Sequence, residues 1–520
     1  MGDRKPNLLG LNPNILAGLK DHYETTMLDT NVVAGVAGRK SVFNVAVRGL
    51  RNHKVIKEKT IGDENGEWQS YLAQPDNYLL SAGLEQILAA IQNWKMNDRL
   101  LQLYNAKGIS PGAVKYLKNR SPQLTISAIP EGVPIFGHEP ALSVEGTFEE
   151  CQLIEGLLLG IWGYQTAVAT QASYVKNILR EFNRRDIITL EGGLRRTYPG
   201  AALAASRAAL IGGFDGTSLE QIGVEYPELR EGVGGSSGHS EVLHIGNDEG
   251  AFEMQLRAHY RIRDGDDEET IRRKIAGSTR SMLTFLIDTF DSNEGVEAAI
   301  RVMNKYGIPC QIRNDSGNQS ERVRYIRTRL DEERLYKAKI MISDDLRPWM
   351  IYELLEHGAR LDLVMMGTYL VNPYKLPGAV YKIAADQRVF GDPQLEPVCK
   401  VSFNNPAKGT LPGKLDVYRV IGKDGKADRD VVIARDLESI DRYLRTDDED
   451  HIKLNQTVMV GRELNYDILD MNGVIANARY HLELLRDEHK KFRDAKPYPV
   501  IISDVVQRVR DEFAQKYRRC

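Results

Sequence analysis

Cysteine is scarce in this chain. There are four in 520 residues, Cys151, Cys310, Cys399 and Cys520, too far apart for a CxxC pair or a Cys/His metal cluster. That spacing excludes a disulfide-stapled fold and a zinc module, and it fits a reducing compartment. An excess of charge of one sign is also missing. With 69 Lys and Arg against 72 Asp and Glu, the net charge is -3, which gives no basic field for nucleic acid but leaves room for a local cationic pocket. No N-terminal stretch is basic and then apolar, and Met1-Gly2 lacks the Ser or Thr of a myristoylation signal, so the expected location is cytoplasmic. Long apolar runs are absent too. The most apolar segment, 153–172, carries Glu155, Gln165 and glycines, which predicts a buried helix and no membrane partner.

The length is too great for one ordinary core and points to two or three domains, or to one large barrel with additions. Residues 1–146 mix short strands with helices, such as the alternating run Ser41-Val42-Phe43-Asn44-Val45-Ala46-Val47 and the amphipathic stretch 84–94, and read as an α+β domain. Thr147-Phe148-Glu149-Glu150 is a capping box that opens a helical region reaching about Phe182. Beyond it, short apolar runs at 187–190, 208–211, 241–245, 283–287, 308–312, 339–342 and 361–366 each end in a polar or glycine cluster. Strands alternating with helices, without a Rossmann fingerprint, predict an α/β barrel over 147–395. The remainder, 396–520, is turn-rich at 404–413, strand-like at 414–421 and 430–433, and helical from about Met471, with 501–518 a solvated outer helix.

In a barrel of this kind the residues just past each strand line the active-site face, which selects 191–196, 216–218, Asp288, 313–317, Asp345 and Gly367-Thr368. Arg313-Asn314-Asp315-Ser316-Gly317 sets a cation beside a carboxylate, with small residues that let a ligand approach. A guanidinium can clamp a phosphate or carboxylate, and an aspartate can accept from ribose hydroxyls or hold magnesium; the alternative is an Arg–Asp pair that only ties a loop. Glu191-Gly192-Gly193-Leu194-Arg195-Arg196 offers twin arginines to an anionic substrate or to solvent. Gly234-Gly235-Ser236-Ser237-Gly238-His239-Ser240 is a small-residue loop able to meet phosphate oxygens. Its histidine is either a nucleophile toward a phosphoryl group or an ordinary loop residue. Gly367-Thr368 has the make-up of a phosphate-accepting strand end.

In order along the chain, these segments resemble the nicotinate phosphoribosyltransferase family. Leu19-Lys20-Asp21-His22-Tyr23-Glu24-Thr25-Thr26-Met27 is similar to its N-terminal signature, and Ala82-Gly83-Leu84-Glu85-Gln86 to its AGLEQ element. Pro130-Glu131-Gly132, Glu139-Pro140 and Val144-Glu145-Gly146 follow, then Gly193-Leu194-Arg195-Arg196, Gly212-Gly213-Phe214-Asp215-Gly216-Thr217-Ser218, Gly238-His239-Ser240 and Ile287-Asp288-Thr289-Phe290-Asp291. Asp315-Ser316-Gly317, Gly367-Thr368, and Leu411-Pro412-Gly413-Lys414 with Val417-Tyr418-Arg419 complete a collinear match over about 15–425.

The resemblance implies an irregular α/β barrel of the type II phosphoribosyltransferase kind, with an α+β domain formed from the N- and C-terminal segments. It also implies a homodimer with sites at the interface. The substrates implied are nicotinate and phosphoribosyl pyrophosphate (PRPP), with ATP as co-substrate and Mg2+ as cofactor. On that basis Tyr23 stacks on the pyridine ring and Arg313 meets its carboxyl or amide group. Asp315 and Asp345 hold ribose hydroxyls, Gly367 and Thr368 the 5′-phosphate, and Arg195 and Arg196 anionic groups. Thr217, Ser218, Ser316 and Gly317 complete the substrate-binding set, His239 is phosphorylated by ATP, and Asp288 holds magnesium or contacts the phosphorylated loop. Three departures stand out: Gly192-Gly193 where an aromatic residue usually precedes the arginines, Asp344 where glycine is usual, and Asn318 where nicotinamide-specific relatives agree better. Ser218 stands where those relatives carry aspartate, and a hydroxyl can donate to nicotinate's carboxylate without repulsion. A nicotinamide phosphoribosyltransferase and a non-catalytic dimeric homologue are the alternatives.

Overall fold

Two kinds of sheet divide the chain. The computed structural model describes residues 4–47, 50, 56–57, 70–71, 77–118, 120–278, 280–373, 376–446 and 448–518. One compact unit takes Met1–Tyr174, Leu203–Gly213 and Pro373–Cys520, and thus both chain ends; the other takes Val175–Ala202 and Phe214–Asn372.

The first unit is built on an antiparallel seven-stranded sheet whose central strands are Ala379–Asp386, Lys40–Val47, Pro140–Thr147 and Thr125–Ala128. Lys40–Val47 is buried along almost its whole length because it is paired on both sides, with Val45 opposite Leu142 and Tyr381. A four-stranded sheet, Asp450–Lys453, Leu415–Ile421, Ala427–Ala434 and Val500–Ile502, completes the unit. Thr147 caps the helix Phe148–Gln152 as expected, accepting from the Glu150 N–H at 3.3 Å while its hydroxyl donates to the Glu150 carboxylate at 2.9 Å. The apolar helix that follows is Glu155–Glu181, and among the described residues no helix is long and apolar enough to cross a membrane.

Several of the recognised motifs turn out to be ties within this unit. Arg207, fully buried, donates to Glu131 at 2.7 Å and to Glu85 at 2.8 Å. Arg207's charge, with hydrogen bonds from the guanidinium and the Gly83 N–H, outweighs burial and holds the Glu131 carboxyl below the usual range. Arg419 and Asp430 form a second fully buried pair, and Lys414 reaches Glu145 at 2.7 Å. Such pairs are costly to break from one side, since the partner is left charged in a dry interior. Cys151, Cys310 and Cys399 are free thiols, all buried; Cys520 lies outside the described residues.

The second unit carries a six-stranded parallel sheet in the order Thr284–Leu286, Gln311–Asn314, Lys339–Ile342, Leu363–Met366, Ile188–Glu191, Gly216–Thr217. Parallel strands need crossover connections and bury both faces, which is why these segments read as short continuous apolar runs. The helices Ser292–Tyr306, Gln319–Glu332 and Pro348–Glu356 supply three of the crossovers. Asp291 caps the first through the N–H groups of Asn293 and Glu294, and Gly307 ends it at φ 67°. That helix lies so close to its strand that a Cβ on Gly295 would stand 2.0 Å from the Ile287 carbonyl oxygen.

Four segments differ from the sequence-based expectation. The runs 208–211 and 241–245 are helical, within Pro199–Ile211 and His239–Ile245, because a short apolar run buries itself equally well on a helix face. In the parallel sheet, the strand missed is Gly216–Thr217, two residues long. The outer helix begins at Asp504, because Val500–Ile502 pairs in parallel with Asp430–Val432.

Candidate active site

A parallel sheet delivers all its strand ends to one edge. At the C-terminal edge of the six strands stand Gly192-Gly193, Ser218, Asp288-Thr289, Asp315-Ser316-Gly317, Ser343-Asp344-Asp345 and Gly367-Thr368. Arg313 is the hub of this edge. Its guanidinium donates to Ser343 Oγ at 2.8 Å, to Ser236 Oγ at 2.9 Å and to Asp315 Oδ1 at 2.8 Å. Ser343 in turn donates to Asp315. Burial pushes the Asp315 carboxyl upward, but the Arg313 charge and the two hydrogen bonds outweigh it and leave the group below the usual carboxylate range.

His239 sits at the start of the helix His239–Ile245, with Nδ1 3.0 Å from Thr289 Oγ1 and Nε2 3.9 Å from Asp315 Oδ2. The hydroxyl of Ser316 donates to Asp288 Oδ2 at 2.6 Å, and Thr368 donates to Asp345 Oδ1 at 2.8 Å. Gly317 turns the chain at φ 79°. Asp344, where the family usually has glycine, is itself at φ 95°, the region a glycine adopts without strain. Burial, then Asp345, Asp315 and Asp288, raise its carboxyl pKa.

Arg195 and Arg196 are exposed in the short helix Leu194–Arg196, and neither guanidinium has an ion-pair or hydrogen-bond partner among the described residues. Arg196 approaches the strand end at Gly367, whose Cβ, if present, would lie 3.8 Å from Arg196 Cγ. The glycine that precedes Leu194 is enforced by packing, since a Cβ on Gly193 would stand 2.3 Å from Val371 Cγ1. Thr217 is turned inward, donating to Glu191 at 2.5 Å and accepting from the Leu219 N–H at 3.0 Å, whereas Ser218 is half-buried and, among the described residues, engages only its backbone N–H, on the Glu191 carbonyl. Tyr23 belongs to the other unit. It is 47% exposed and donates to Glu155 at 2.9 Å; burial and the Glu155 carboxylate push its hydroxyl pKa up.

Sequence reasoning picked out Glu191 as a strand end without giving it a role, and it gave none to three supporting hydroxyls, Ser236, Thr289 and Ser343. Thr289 and Ser343 sit at strand ends, which is the signal that could have found them. Among the described residues no three His, Cys, Asp or Glu side chains could hold a metal ion together. Asp288 Oδ1, however, is buried with no hydrogen-bond partner, as suits a group waiting for a cation. Magnesium often keeps one or two protein carboxylates and takes the rest of its shell from phosphate and water, so Asp288 fits that role. The edge therefore combines unpaired cations for phosphate, carboxylates for hydroxyls or a cation, and a histidine oriented by a hydroxyl.

No protein-family model matches the chain. It is 30% identical over 517 residues to the nicotinate phosphoribosyltransferase of Bacillus subtilis (strain 168), covering 95% of this chain and 94% of that protein. It is 26% identical over 494 residues to the nicotinate phosphoribosyltransferase of Caenorhabditis elegans, covering 82% and 84%. The crystal structure of human nicotinic acid phosphoribosyltransferase matches with a TM-score of 0.67 at 20% identity, covering 95% of this chain and all of that one. That of the nicotinate-nucleotide pyrophosphorylase from Pyrococcus furiosus matches at 0.62 and 18%, covering 91% and 96%. The two structures speak to the fold alone.

Proposed function

The chain belongs to the nicotinate phosphoribosyltransferase family, and from that premise we propose that it transfers the phosphoribosyl group of PRPP to nicotinate in NAD salvage, coupled to ATP hydrolysis. The observation that carries this reading is the single network at one sheet edge, His239, Arg313, Asp315 and Ser343, with the unpaired Arg195 and Arg196 on the same edge.

In the transfer, the pyridine nitrogen forms a bond to the ribose anomeric carbon as the bond to pyrophosphate breaks and its electrons leave with the pyrophosphate. The transition state has oxocarbenium character, so the protein contributes positioning and charge more than a nucleophile. Asp315, kept ionised by Arg313, and Asp345 would accept from ribose hydroxyls, and Gly367 with Thr368 would hold the 5′-phosphate. Arg195 and Arg196 would neutralise phosphate oxygens. Magnesium held by Asp288 would neutralise charge on the leaving pyrophosphate. With Nδ1 engaged by Thr289, Nε2 of His239 is the nitrogen left to take a phosphoryl group from ATP. In this reading the active form is a homodimer in which the exposed Tyr23 of one copy reaches the other's site. Ser218 favours nicotinate over nicotinamide, since it donates to a carboxylate without like-charge repulsion.

The test offers purified protein PRPP and magnesium with nicotinate or nicotinamide, with and without ATP. Nicotinate mononucleotide is expected as the main product, formed faster with ATP. A preference for nicotinamide, or no product from either base, contradicts the reading.

A further inference from the structure

The opposite edge of the same parallel sheet is also charged. A cavity of about 570 Å3 opens where the strands Ile188–Glu191, Lys339–Ile342 and Leu363–Met366 begin, lined by Arg184, Arg327, Tyr336, Lys337, Lys339 and Arg360. The N-terminal edge of a parallel barrel ordinarily serves stability, which calls for paired charges. Here the pairing is incomplete. Arg184 pairs with Asp186, Asp331 serves both Arg327 and Arg360, and Asp362, the one carboxylate in the lining, accepts from the Ile340 N–H. The amines of Lys337 and Lys339 have no ion-pair or hydrogen-bond partner among the described residues.

Two of the arginines are held rigidly. Arg184 donates to the carbonyls of Ala359 and Leu361, and Arg327 to those of Ala338 and Leu335. The Arg327 side chain is only 9% exposed, and its buried Nε has no hydrogen-bond partner among the described residues. Two unpaired amines beside guanidiniums already fixed by the fold make a pre-organised cationic lining, because the guanidiniums' ordering entropy is already spent. The 69% exposed ring of Tyr336 adds a flat apolar face at the mouth, and the cavity has the volume of a small-molecule site.

We infer that this cavity binds a nucleoside monophosphate, its phosphate on Lys337 and Lys339 and its base on Tyr336, at the sheet edge opposite the proposed catalytic one. The inference does not depend on the catalytic reading.

The test is hydrogen–deuterium exchange of the full chain with adenosine monophosphate, inorganic phosphate or adenosine, titrated to give affinities. Adenosine monophosphate should protect backbone amides at 335–340 and 359–362 and bind at least about tenfold more tightly than phosphate, while adenosine protects neither. Lys337→Gln with Lys339→Gln should weaken both anions by about tenfold or more. Tyr336→Ala should weaken the nucleotide alone. Protection confined to the C-terminal edge, equal affinity for nucleotide and phosphate, or unchanged binding in the double lysine variant would overturn the inference.

Discussion

A non-glycine residue in the left-handed region costs about 1–3 kcal/mol, and Asp344 stands there at φ 95° with its carboxyl pKa raised by burial and by Asp345, Asp315 and Asp288. Glycine removes both the backbone strain and the repulsion, though it frees the unfolded chain. Asp344→Gly is expected to raise the urea midpoint by the equivalent of about 1 kcal/mol; a comparable loss would mean that the carboxylate holds its loop in place. Ser218 governs base choice in the proposed site. Ser218→Asp should shift the ratio of specificity constants toward nicotinamide by at least about tenfold, since a carboxylate repels nicotinate but accepts from a carboxamide NH₂. Because general damage lowers both constants alike, an unchanged ratio means that residue 218 does not face the pyridine substituent.

Among the elements, the helices Pro199–Ile211 and Leu84–Asn93 are locked together by Arg207, whose guanidinium also serves Glu131. Arg207→Leu would leave two carboxylates buried without a counter-charge. A destabilisation of about 3–5 kcal/mol is expected by chemical denaturation, and a loss below about 1 kcal/mol would show that the carboxylates find water or protons cheaply. Element type was legible where length and flanking residues agreed, as for the strands at Lys339–Ile342 and Leu363–Met366. It failed at 208–211, because Pro199–Ile211 is buried nearly all round and leaves no helical period to read. The carboxylates of the site were legible for the same reason as their strands. Their supporting hydroxyls were not, since serine and threonine carry no pattern of their own. It is the parallel register, Asn314 opposite Ile342, that brings Ser343 beside Asp315.

For the molecule as a whole, pH acts through Glu24, which lies in the N-terminal signature and is buried with neither carboxylate oxygen hydrogen-bonded among the described residues. Burial, then Glu155, pushes its pKa from 4.5 up to about 7. A raised folded pKa means that the native state binds the extra proton, so this group's contribution is complete below 4.5 and is lost as pH rises through about 7. Glu24→Gln should therefore be more stable than the parent at about pH 8 and differ little at about pH 4; parallel melting curves across that range would contradict the raised pKa. The motif order made the family resemblance legible over most of the chain. The strand-end rule set the candidate residues on one edge, but the registers that bring particular side chains together, such as Ser343 with Asp315, are encoded by no short motif.

The central claim is that this C-terminal edge performs the transfer, and Asp315→Asn tests it most directly. The carboxylate touches Arg313 and Ser343 and faces His239, at 18% exposure, so its charge is held for a ligand more than for the core. The measurement is kcat/KM for nicotinate mononucleotide formation, taken with the melting temperature. A fall of about two orders of magnitude or more with a nearly unchanged melting temperature is predicted. Intact turnover together with a large loss of melting temperature would return Asp315 to a structural role and contradict the account.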